Sequence, residues 1–209
     1  MKIYLRDLNP GMSEAWNTWF GGVEGVDIST GDIFEGPKAD AIISPANSFG
    51  FMDGGIDLAY SIKFGWDLQK RLQKELADKH YGELPVGQAV IVPTEHEDIP
   101  WLVSAPTMRI PMFVSSTPNA YLAFRAALIA IKKHNDRIQH QEEMANGPVG
   151  GRIESVLCPG LGTAVGRMPF NVCAKQMFYA YMTVVKGEKK EFASLGDCVN
   201  NHFSITRDS

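Results

Sequence analysis

Cysteine is scarce in this chain of 209 residues, which contains only Cys158, Cys173 and Cys198. An odd number of widely spaced cysteines supports neither a disulfide framework nor a zinc site, and it fits a reducing compartment. The five histidines are scattered and show no spacing typical of a metal site. The sequence therefore predicts neither a metal nor a cofactor.

Long apolar runs and an excess of positive charge are also missing. No stretch approaches the ~20 apolar residues of a membrane-spanning helix, and the charged first residues are unlike a signal peptide. The formal net charge of -4 gives no general attraction to a phosphate backbone. We therefore expect a cytoplasmic protein that binds neither membranes nor nucleic acid.

The composition that remains is that of an ordinary globular protein, with 44% hydrophobic and 21% charged residues. We expect one domain over residues 1–209. Apolar segments alternate with amphipathic ones, which predicts an α/β protein with helices on both faces of a mainly parallel sheet. Strands are predicted at 3–6, 26–28, 39–44, 89–92, 101–105 and 153–157, and helices at 13–20, 58–64, 66–79, 119–135 and 171–185. Ser13 would cap the first helix, and the stretch after Gly187 is the least periodic.

A glycine-rich segment follows the predicted strand at 39–44, where such sheets bind their ligands. Its sequence is SPANSFGFMDGGID, over residues 44–57, and Gly54 and Gly55 precede a helix that begins near Ile56. Paired glycines let backbone amides approach a ligand, and the positive end of the helix dipole favours a phosphate. A tight turn without a ligand is the alternative.

A second glycine-rich segment, CPGLGTAVGRMP over residues 158–169, follows the predicted strand at 153–157. Gly160, Gly162 and Gly166 do not have the spacing of a dinucleotide-binding fingerprint, and the lysine of a nucleoside-triphosphate loop is missing. A Rossmann dehydrogenase or a kinase is therefore disfavoured. Two such loops on one sheet edge would hold a diphosphate between them.

At these residues the sequence resembles the macro domain family, whose members bind ADP-ribose. Four of the family's elements occur in the family's order, as Gly31-Asp32-Ile33-Phe34, Ser44-Pro45-Ala46-Asn47, Asp53-Gly54-Gly55-Ile56 and Pro159-Gly160-Leu161-Gly162-Thr163-Ala164. The resemblance covers about residues 26–185 and leaves 187–209 as a C-terminal extension. It implies a three-layer α/β/α fold with a central mixed, mostly parallel sheet.

The resemblance also implies binding roles for residues at these motifs. Asp32 would accept the adenine amine, with the backbone of Ile33 facing a ring nitrogen. Asn47 would hold the distal ribose, and Phe170 would lie against the adenine or the proximal ribose. The loops would take the phosphates through Gly54, Gly55, Ile56, Gly160, Leu161, Gly162, Thr163, Ala164, Val165 and Gly166. The alternatives are a turn-capping aspartate, a turn-forming asparagine and a core aromatic.

Asp57, ten residues after Asn47, separates an enzyme from a binding module. In hydrolytic macro domains that resemble this chain, an aspartate at this place and the asparagine orient a water at the distal ribose, so both residues would be catalytic. Alternatively, Asp57 satisfies the amides of the first helical turn. The implied substrates are O-acetyl-ADP-ribose, ADP-ribose 1″-phosphate and mono-ADP-ribosylated protein. The main alternative is a non-catalytic reader of free or protein-attached ADP-ribose, and a third possibility is a degenerate macro fold with a structural or interaction role.

Three residues depart from the family pattern. Ser44 replaces an asparagine, Ala164 replaces a glycine, and Asp53 stands where a glycine is usual. Asp53 would repel an anion, so we expect it to face solvent or to meet a cation or hydroxyl; the alternative is that it acts as a second acid in catalysis. Arg167 is a candidate for a compensating charge, and Arg109 either contacts a phosphate or lies on the surface.

Overall fold

The computed structural model describes residues 1–145 and 150–207 of the chain. Its strands are β1 (Lys2–Asp7), β2 (Val26–Thr30), β3 (Ala41–Ser44), β4 (Val90–Pro93), β5 (Trp101–Ser104) and β6 (Ser155–Cys158). They form one six-stranded sheet in the order β2-β1-β6-β3-β5-β4. All neighbouring pairs are parallel except β4 with β5, which is antiparallel. The expected mixed, mostly parallel sheet is confirmed.

Helices cover both faces of this sheet. They are α1 (Pro10–Phe20), α2 (Gly55–Phe64), α3 (Asp67–His80), α4 (Asn119–Ala145), α5 (Phe170–Val184) and α6 (Leu195–Thr206), and a 3-10 turn spans Ile33–Glu35. Helices α1, α4 and α5 bury their apolar residues in one core cluster. Helices α2 and α3 bury theirs in a second cluster on the opposite face. The expected three-layer α/β/α arrangement is therefore confirmed.

Strand β3 shows why a continuous apolar run marks the middle of a covered sheet. All four of its residues are buried. Ala41 and Ile43 belong to the first core cluster, whereas Ile42 belongs to the second. Successive side chains point to opposite faces, and both faces lie under helices. The strand ends at Ser44, whose buried hydroxyl lies at the carboxyl edge of the sheet.

Three details of the predicted secondary structure are wrong. Helix α1 begins at Pro10, and Asn9 caps it by accepting a hydrogen bond from the Gly11 amide. Ser13 is instead buried inside the helix, and its hydroxyl donates to the Ser29 carbonyl. Helix α4 continues to Ala145 instead of ending near residue 135. No helix was predicted in the stretch after Gly187, the least periodic part of the sequence, yet this stretch contains α6, which begins with a capping box.

The parallel strands all end at one edge of the sheet, which we call the carboxyl edge. Residues 31–32 follow β2 there, residues 45–54 follow β3, residues 105–118 follow β5 and residues 159–169 follow β6. Every motif singled out in the sequence therefore meets at this edge. No helix in the described part of the chain has the length and apolarity needed to cross a membrane.

Candidate functional site

The N-terminus of α2 is open toward the carboxyl edge. Gly54 occupies the N-cap position, and no side chain among the residues that the structure describes bonds the first amides of the helix. A methyl group added at Gly54 or Gly55 would meet no atom of the described residues within 4 Å. Free amides at the positive end of a helix dipole are a ready binding site for an anion. We call the amides of Gly55 and Ile56 the helix cradle.

The second glycine segment is anchored at its start and open in its middle. The Gly160 amide donates to the Asp7 carboxylate at 3.0 Å, and the Leu161 amide donates to the Cys173 sulfur at 3.3 Å. Within residues 1–145 and 150–207, the backbone amides from Gly162 to Gly166 have no hydrogen-bond acceptor. We call these five amides the loop cradle.

Neighbouring backbone forces small residues into this loop. Gly162 has a φ of +73°, and a Cβ at Gly166 would lie 2.5 Å from the Gly162 carbonyl oxygen and 2.6 Å from Cγ2 of Val114. Only glycine fits at Gly166. The Met168 amide closes the loop on the Gly162 carbonyl at 3.0 Å. The glycine spacing thus produces a tight, closed loop whose middle amides have no acceptor in the part of the chain that the structure describes.

Asn47 organises the loop that contains it. Its side-chain oxygen accepts from the amides of Phe49 at 3.0 Å and Phe51 at 3.3 Å, and its nitrogen donates to the Phe51 carbonyl at 2.8 Å. The turn-forming role considered for this asparagine is therefore present in the structure. Its contact with the distal ribose stays a prediction.

The loops after β3 and β5 continue the strand pairing beyond the sheet. The Ala105 amide donates to the Ser44 carbonyl, and the Thr107 amide donates to the Ala46 carbonyl, each at 3.0 Å. Farther along, the Ser48 amide donates to the Arg109 carbonyl at 3.1 Å. The two loops form one continuous wall of the site.

Asp57 lies in the first turn of α2 and is buried, with 6% of its surface exposed. The Ser44 hydroxyl donates to its carboxylate at 2.5 Å. Burial raises the pKa of Asp57 from 3.8 to about 6, although the hydrogen bond from Ser44 acts in the opposite direction. This carboxyl group can take up or release a proton close to neutral pH, which is the property of a general base.

Tyr60 lies one turn after Asp57 and belongs to the same buried environment. Its hydroxyl donates to the Ile43 carbonyl at 3.1 Å. Burial and then the Asp57 charge raise the pKa of Tyr60 well above its ordinary value. The tyrosine stays neutral and holds α2 against the end of β3, so it fixes the depth at which Asp57 lies.

Asp32 and Ile33 follow β2 at the carboxyl edge. The exposed Asp32 carboxylate accepts from the Phe34 amide at 2.9 Å, and Arg6 donates to the Asp32 carbonyl at 2.7 Å. Ile33 is buried against the core on the α2 side of the sheet. Asp32 therefore caps the 3-10 turn, and its contact with adenine stays a prediction.

Phe170 is the first residue of α5 and is half-buried. A Cβ at Gly11 would lie 3.1 Å from its ring, so the ring packs over the start of α1. This contact is the core role considered as the alternative for Phe170. Its contact with a ligand is not tested by the structure.

The charged residues near the loops are either exposed or in contact with neighbouring side chains. Asp53 is exposed, as expected for a carboxylate beside an anion site. Arg109 donates to Glu83 through Nε at 2.6 Å and through Nη2 at 3.0 Å, which supports the surface role over phosphate contact. The guanidinium of Arg167 lies 4.6 Å from the centre of the Phe113 ring.

Reasoning from the sequence missed two residues that shape the site. Asp7 anchors the loop cradle through the Gly160 amide, and Ser44 bonds Asp57. Asp7 stands at the end of a predicted strand, so its position at the carboxyl edge was a usable signal. Ser44 was noted only as a departure from the family pattern.

Comparisons with known proteins identify the family of this chain. The family model described as Macro domain matches residues 43–177. A relative from Aquifex aeolicus (strain VF5), described as an uncharacterized protein, is 32% identical over 152 residues, which are 73% of this chain and 78% of the relative.

Solved structures show the same fold. The Oceanobacillus iheyensis macrodomain with MES bound is 18% identical and has a TM-score of 0.56, over 84% of this chain and 85% of that chain. The same macrodomain with ADP is 17% identical, with a TM-score of 0.54 over 84% of each chain. Variants in which one glycine, one aspartate or one asparagine is replaced also match, with TM-scores of 0.54, 0.54 and 0.50, and the glycine variant holds ADPR. By the extent of the family match and by its fold, this chain belongs to the macro domain family.

Proposed function

We propose that this macro domain binds ADP-ribose and hydrolyses ADP-ribose derivatives at the distal ribose. The observation that carries the binding is the pair of cradles at one sheet edge, one at the start of α2 and one from Gly162 to Gly166. Amides that lack an acceptor in the described chain suit the oxygens of a diphosphate. Both cradles consist of backbone amides, which donate hydrogen bonds to an anion, so neither cradle needs a lysine to bind one.

The ligands of similar structures support the identity of this diphosphate. The Oceanobacillus iheyensis macrodomain has been solved with ADP, and its glycine variant with ADPR. In our proposal Asp32 accepts the adenine amine, and Ile33, Asn47 and Phe170 complete the contacts to adenine and ribose. A carboxylate at that place favours an amine donor over the carbonyl of guanine.

Asp57 carries the step from binding to hydrolysis. In the Oceanobacillus iheyensis variants, the replaced asparagine, glycine and aspartate are separated by seven and then three residues. Asn47, Gly54 and Asp57 have the same separations. In the proposed reaction the Asp57 carboxylate accepts a proton from a water molecule as the water oxygen bonds to the carbon or phosphorus atom that carries the leaving oxygen at the distal ribose, and the bond between that atom and the leaving oxygen breaks. The proton then passes to the leaving oxygen, which restores the carboxylate.

A second candidate is a reader that binds ADP-ribose without turnover. The hydrogen bond from Ser44 to Asp57 and the deep burial of that carboxyl group favour the reader. These two features are sufficient for a structural role of Asp57, which involves no catalysis. The Asn47 side chain is likewise bonded within its own loop. The two candidates therefore differ in chemistry and share the binding site.

Calorimetry and turnover assays separate the two candidates. We expect ADP-ribose to bind to the native protein and to the Asp57→Asn variant alike, and only the native protein to release product. The substrates are O-acetyl-ADP-ribose, ADP-ribose 1″-phosphate and a mono-ADP-ribosylated protein. Asp67→Asn is a matched control, because Asp67 is also a first-turn aspartate but is exposed at the start of α3. Binding without release from any of the three substrates would leave the reader as the function.

A further inference from the structure

Strand β1 lies between β2 and β6 in the sheet, so its last residues are next to both of the loops that follow these strands. The loop after β2 contains Asp32, and the loop after β6 contains the loop cradle. The family match begins only at residue 43. What β1 contributes to the site must therefore be read from the contacts of its own residues.

Arg6, near the end of β1, holds the turn that contains Asp32. Its Nε donates to the Asp32 carbonyl at 2.7 Å, and its Nη1 donates to the Ser29 hydroxyl at 2.9 Å. Two glycines leave room for this arginine. A Cβ at Gly31 would lie 2.5 Å from Arg6 Nη2, and a Cβ at Gly36 would lie 2.8 Å from Arg6 Cδ. The arginine therefore fits closely between the two ends of the Asp32 turn.

The Asp32 carboxylate itself stays available to a ligand. One of its oxygens accepts from the Phe34 amide, and the other has no donor among the residues that the structure describes. Arg6 bonds the backbone of Asp32 and not its carboxylate. The arginine thus fixes where the carboxylate lies without occupying the oxygen that would accept the adenine amine.

Asp7, the last residue of β1, joins three segments at the carboxyl edge. Its Oδ2 accepts from the Gly160 amide at 3.0 Å, and its Oδ1 accepts from the Asn9 amide at 2.9 Å. Its backbone carbonyl accepts from the Gly31 amide at 2.9 Å. Gly160 lies two residues before the loop cradle, and Gly31 directly precedes Asp32. One residue therefore ties the turn of the adenine acceptor to the loop of the phosphate donors.

The separation of these two subsites matters for a ligand that carries both adenine and a diphosphate. A hydrogen bond is lost when donor and acceptor move apart by less than about 1 Å, so both subsites must be in place together. We propose that Arg6 and Asp7 are positioning residues of the site, Arg6 for the adenine acceptor Asp32 and Asp7 for the loop cradle. This inference rests on the proposed function and adds two residues to the same site.

Two ligands that differ only in the nucleobase test the role of Arg6. ADP-ribose carries the exocyclic amine of adenine, whereas inosine diphosphate ribose carries a carbonyl at that position. We expect the native protein to bind ADP-ribose roughly tenfold more tightly in calorimetry, a factor that corresponds to about 1.4 kcal/mol. Arg6→Met should lower the affinity for ADP-ribose alone, so that the ratio falls toward one. Equal weakening of both ligands, as general damage to the fold would cause, would overturn the role of Arg6.

Ligands with and without phosphates test the role of Asp7. In Asp7→Asn the side-chain oxygen can still accept from the Asn9 amide, but the new amide nitrogen cannot accept from Gly160. We expect this variant to bind ADP roughly tenfold more weakly and to bind adenosine as the native protein does, in titrations followed by NMR. It should also keep the native preference for ADP-ribose over inosine diphosphate ribose. Unchanged ADP affinity, or an equal loss for adenosine, would overturn the role of Asp7.

Two residues at the opposite edge of the sheet are matched controls. Asp40 accepts from the amides of Glu154 at 2.9 Å and Ser155 at 2.8 Å, where β6 begins. Arg71 donates through Nε to the Pro93 carbonyl at 3.1 Å, where the antiparallel strand β4 ends. Asp40→Asn and Arg71→Met remove the same kinds of bond and should lower the melting temperature. Both should bind all four ligands as the native protein does.

The outcomes separate a failure of this inference from a failure of the proposed function. Absence of ADP-ribose binding to the native protein would remove the proposed function, and this inference with it. Native binding with an unchanged nucleobase preference in Arg6→Met would overturn the inference alone. If Arg6→Met does not fold, Arg6→Lys replaces it, because an ammonium keeps the charge but lacks the fork that bonds both Ser29 and Asp32. The same loss of preference is then expected.

Discussion

The hydroxyl of Ser44, at the end of β3, donates a 2.5 Å hydrogen bond to the carboxylate of Asp57 in the first turn of α2. This contact joins the sheet edge to the helix cradle. It opposes the effect of burial on the Asp57 carboxyl group but does not cancel it, since the pKa is still raised to about 6. The charged form of Asp57 is therefore held in place at a cost to stability.

That cost predicts a pH-dependent difference in stability between the native protein and Asp57→Asn. The pKa of Asp57 is higher in the folded state than its ordinary value of 3.8, so the folded state binds more protons between about pH 4 and pH 6. Native stability relative to the variant should fall as the pH rises through this range, by up to about 3 kcal/mol, and stay level above it. Urea unfolding at several pH values measures the difference, and a constant difference across the range would contradict the prediction.

Asn47→Ala should destabilise the protein as well as impair the site. The asparagine makes three hydrogen bonds to the backbone of residues 49 and 51, and removing them should lower the free energy of unfolding by roughly 1–3 kcal/mol. Thermal unfolding gives this loss directly. The temperature of activity assays must therefore stay below the variant's transition. An unchanged melting temperature would show that the loop does not depend on Asn47.

Asp32→Asn should weaken the binding of ADP-ribose by roughly 1–3 kcal/mol while preserving the fold. The amide oxygen can still accept from the Phe34 amide, but the charged acceptor for the adenine amine is lost. Calorimetry with ADP-ribose measures the change, and circular dichroism checks the fold. Full affinity in this variant would place the adenine elsewhere.

Glycine variants should separate backbone strain from ligand contact. Gly162→Ala places a side chain at a φ of +73° and 3.1 Å from Val114 Cγ2, so it should cost roughly 1–3 kcal/mol of stability. Gly54→Val should cost much less, because Gly54 has an extended φ of −146° and an added Cβ would have no atom of the described chain within 4 Å. We expect both variants to lose ADP-ribose affinity. Retained affinity in Gly54→Val would show that the helix cradle does not bind the ligand.

The layered fold could be predicted from the sequence because the apolar patterns were strong. The buried run that forms β3 and the amphipathic run that forms α3 each match their predicted type. The alternation of strands and helices then leads to a mostly parallel sheet. The carboxyl edge follows from that sheet, and the glycine-rich segments were correctly placed on it.

The missed elements have identifiable causes. Asn9 before Pro10 was the true start of α1, but the polar Ser13 nearer to the apolar residues was chosen as the cap. Helix α6 was missed because its apolar residues at positions 195, 199 and 203 are exposed and are not part of a core stripe. Its capping box, Ser194 with Asp197, was nevertheless visible in the sequence.

The pairing of Ser44 with Asp57 could not have been predicted from local patterns. The two residues are 13 positions apart, and their contact depends on how deeply α2 enters the carboxyl edge. That depth is set by tertiary contacts, such as the hydrogen bond from Tyr60 to Ile43. Ser44, which departs from the family motif, is therefore the hydrogen-bond partner of the candidate base Asp57.

The extension of the β3–β5 pairing into the loops, up to the bond between Ser48 and Arg109, affects the entropy of ligand binding. Because that wall is already ordered, the protein loses little conformational entropy when a ligand contacts it. The remaining entropic cost of binding comes from the loop cradle, because fixing the backbone of one free residue costs about 1–2 kcal/mol. Both ends of the cradle are already pinned, by Met168 on Gly162 and by Val114 on Gly166. The site is thus largely preorganised, and most of the energy of its amide contacts remains available as affinity.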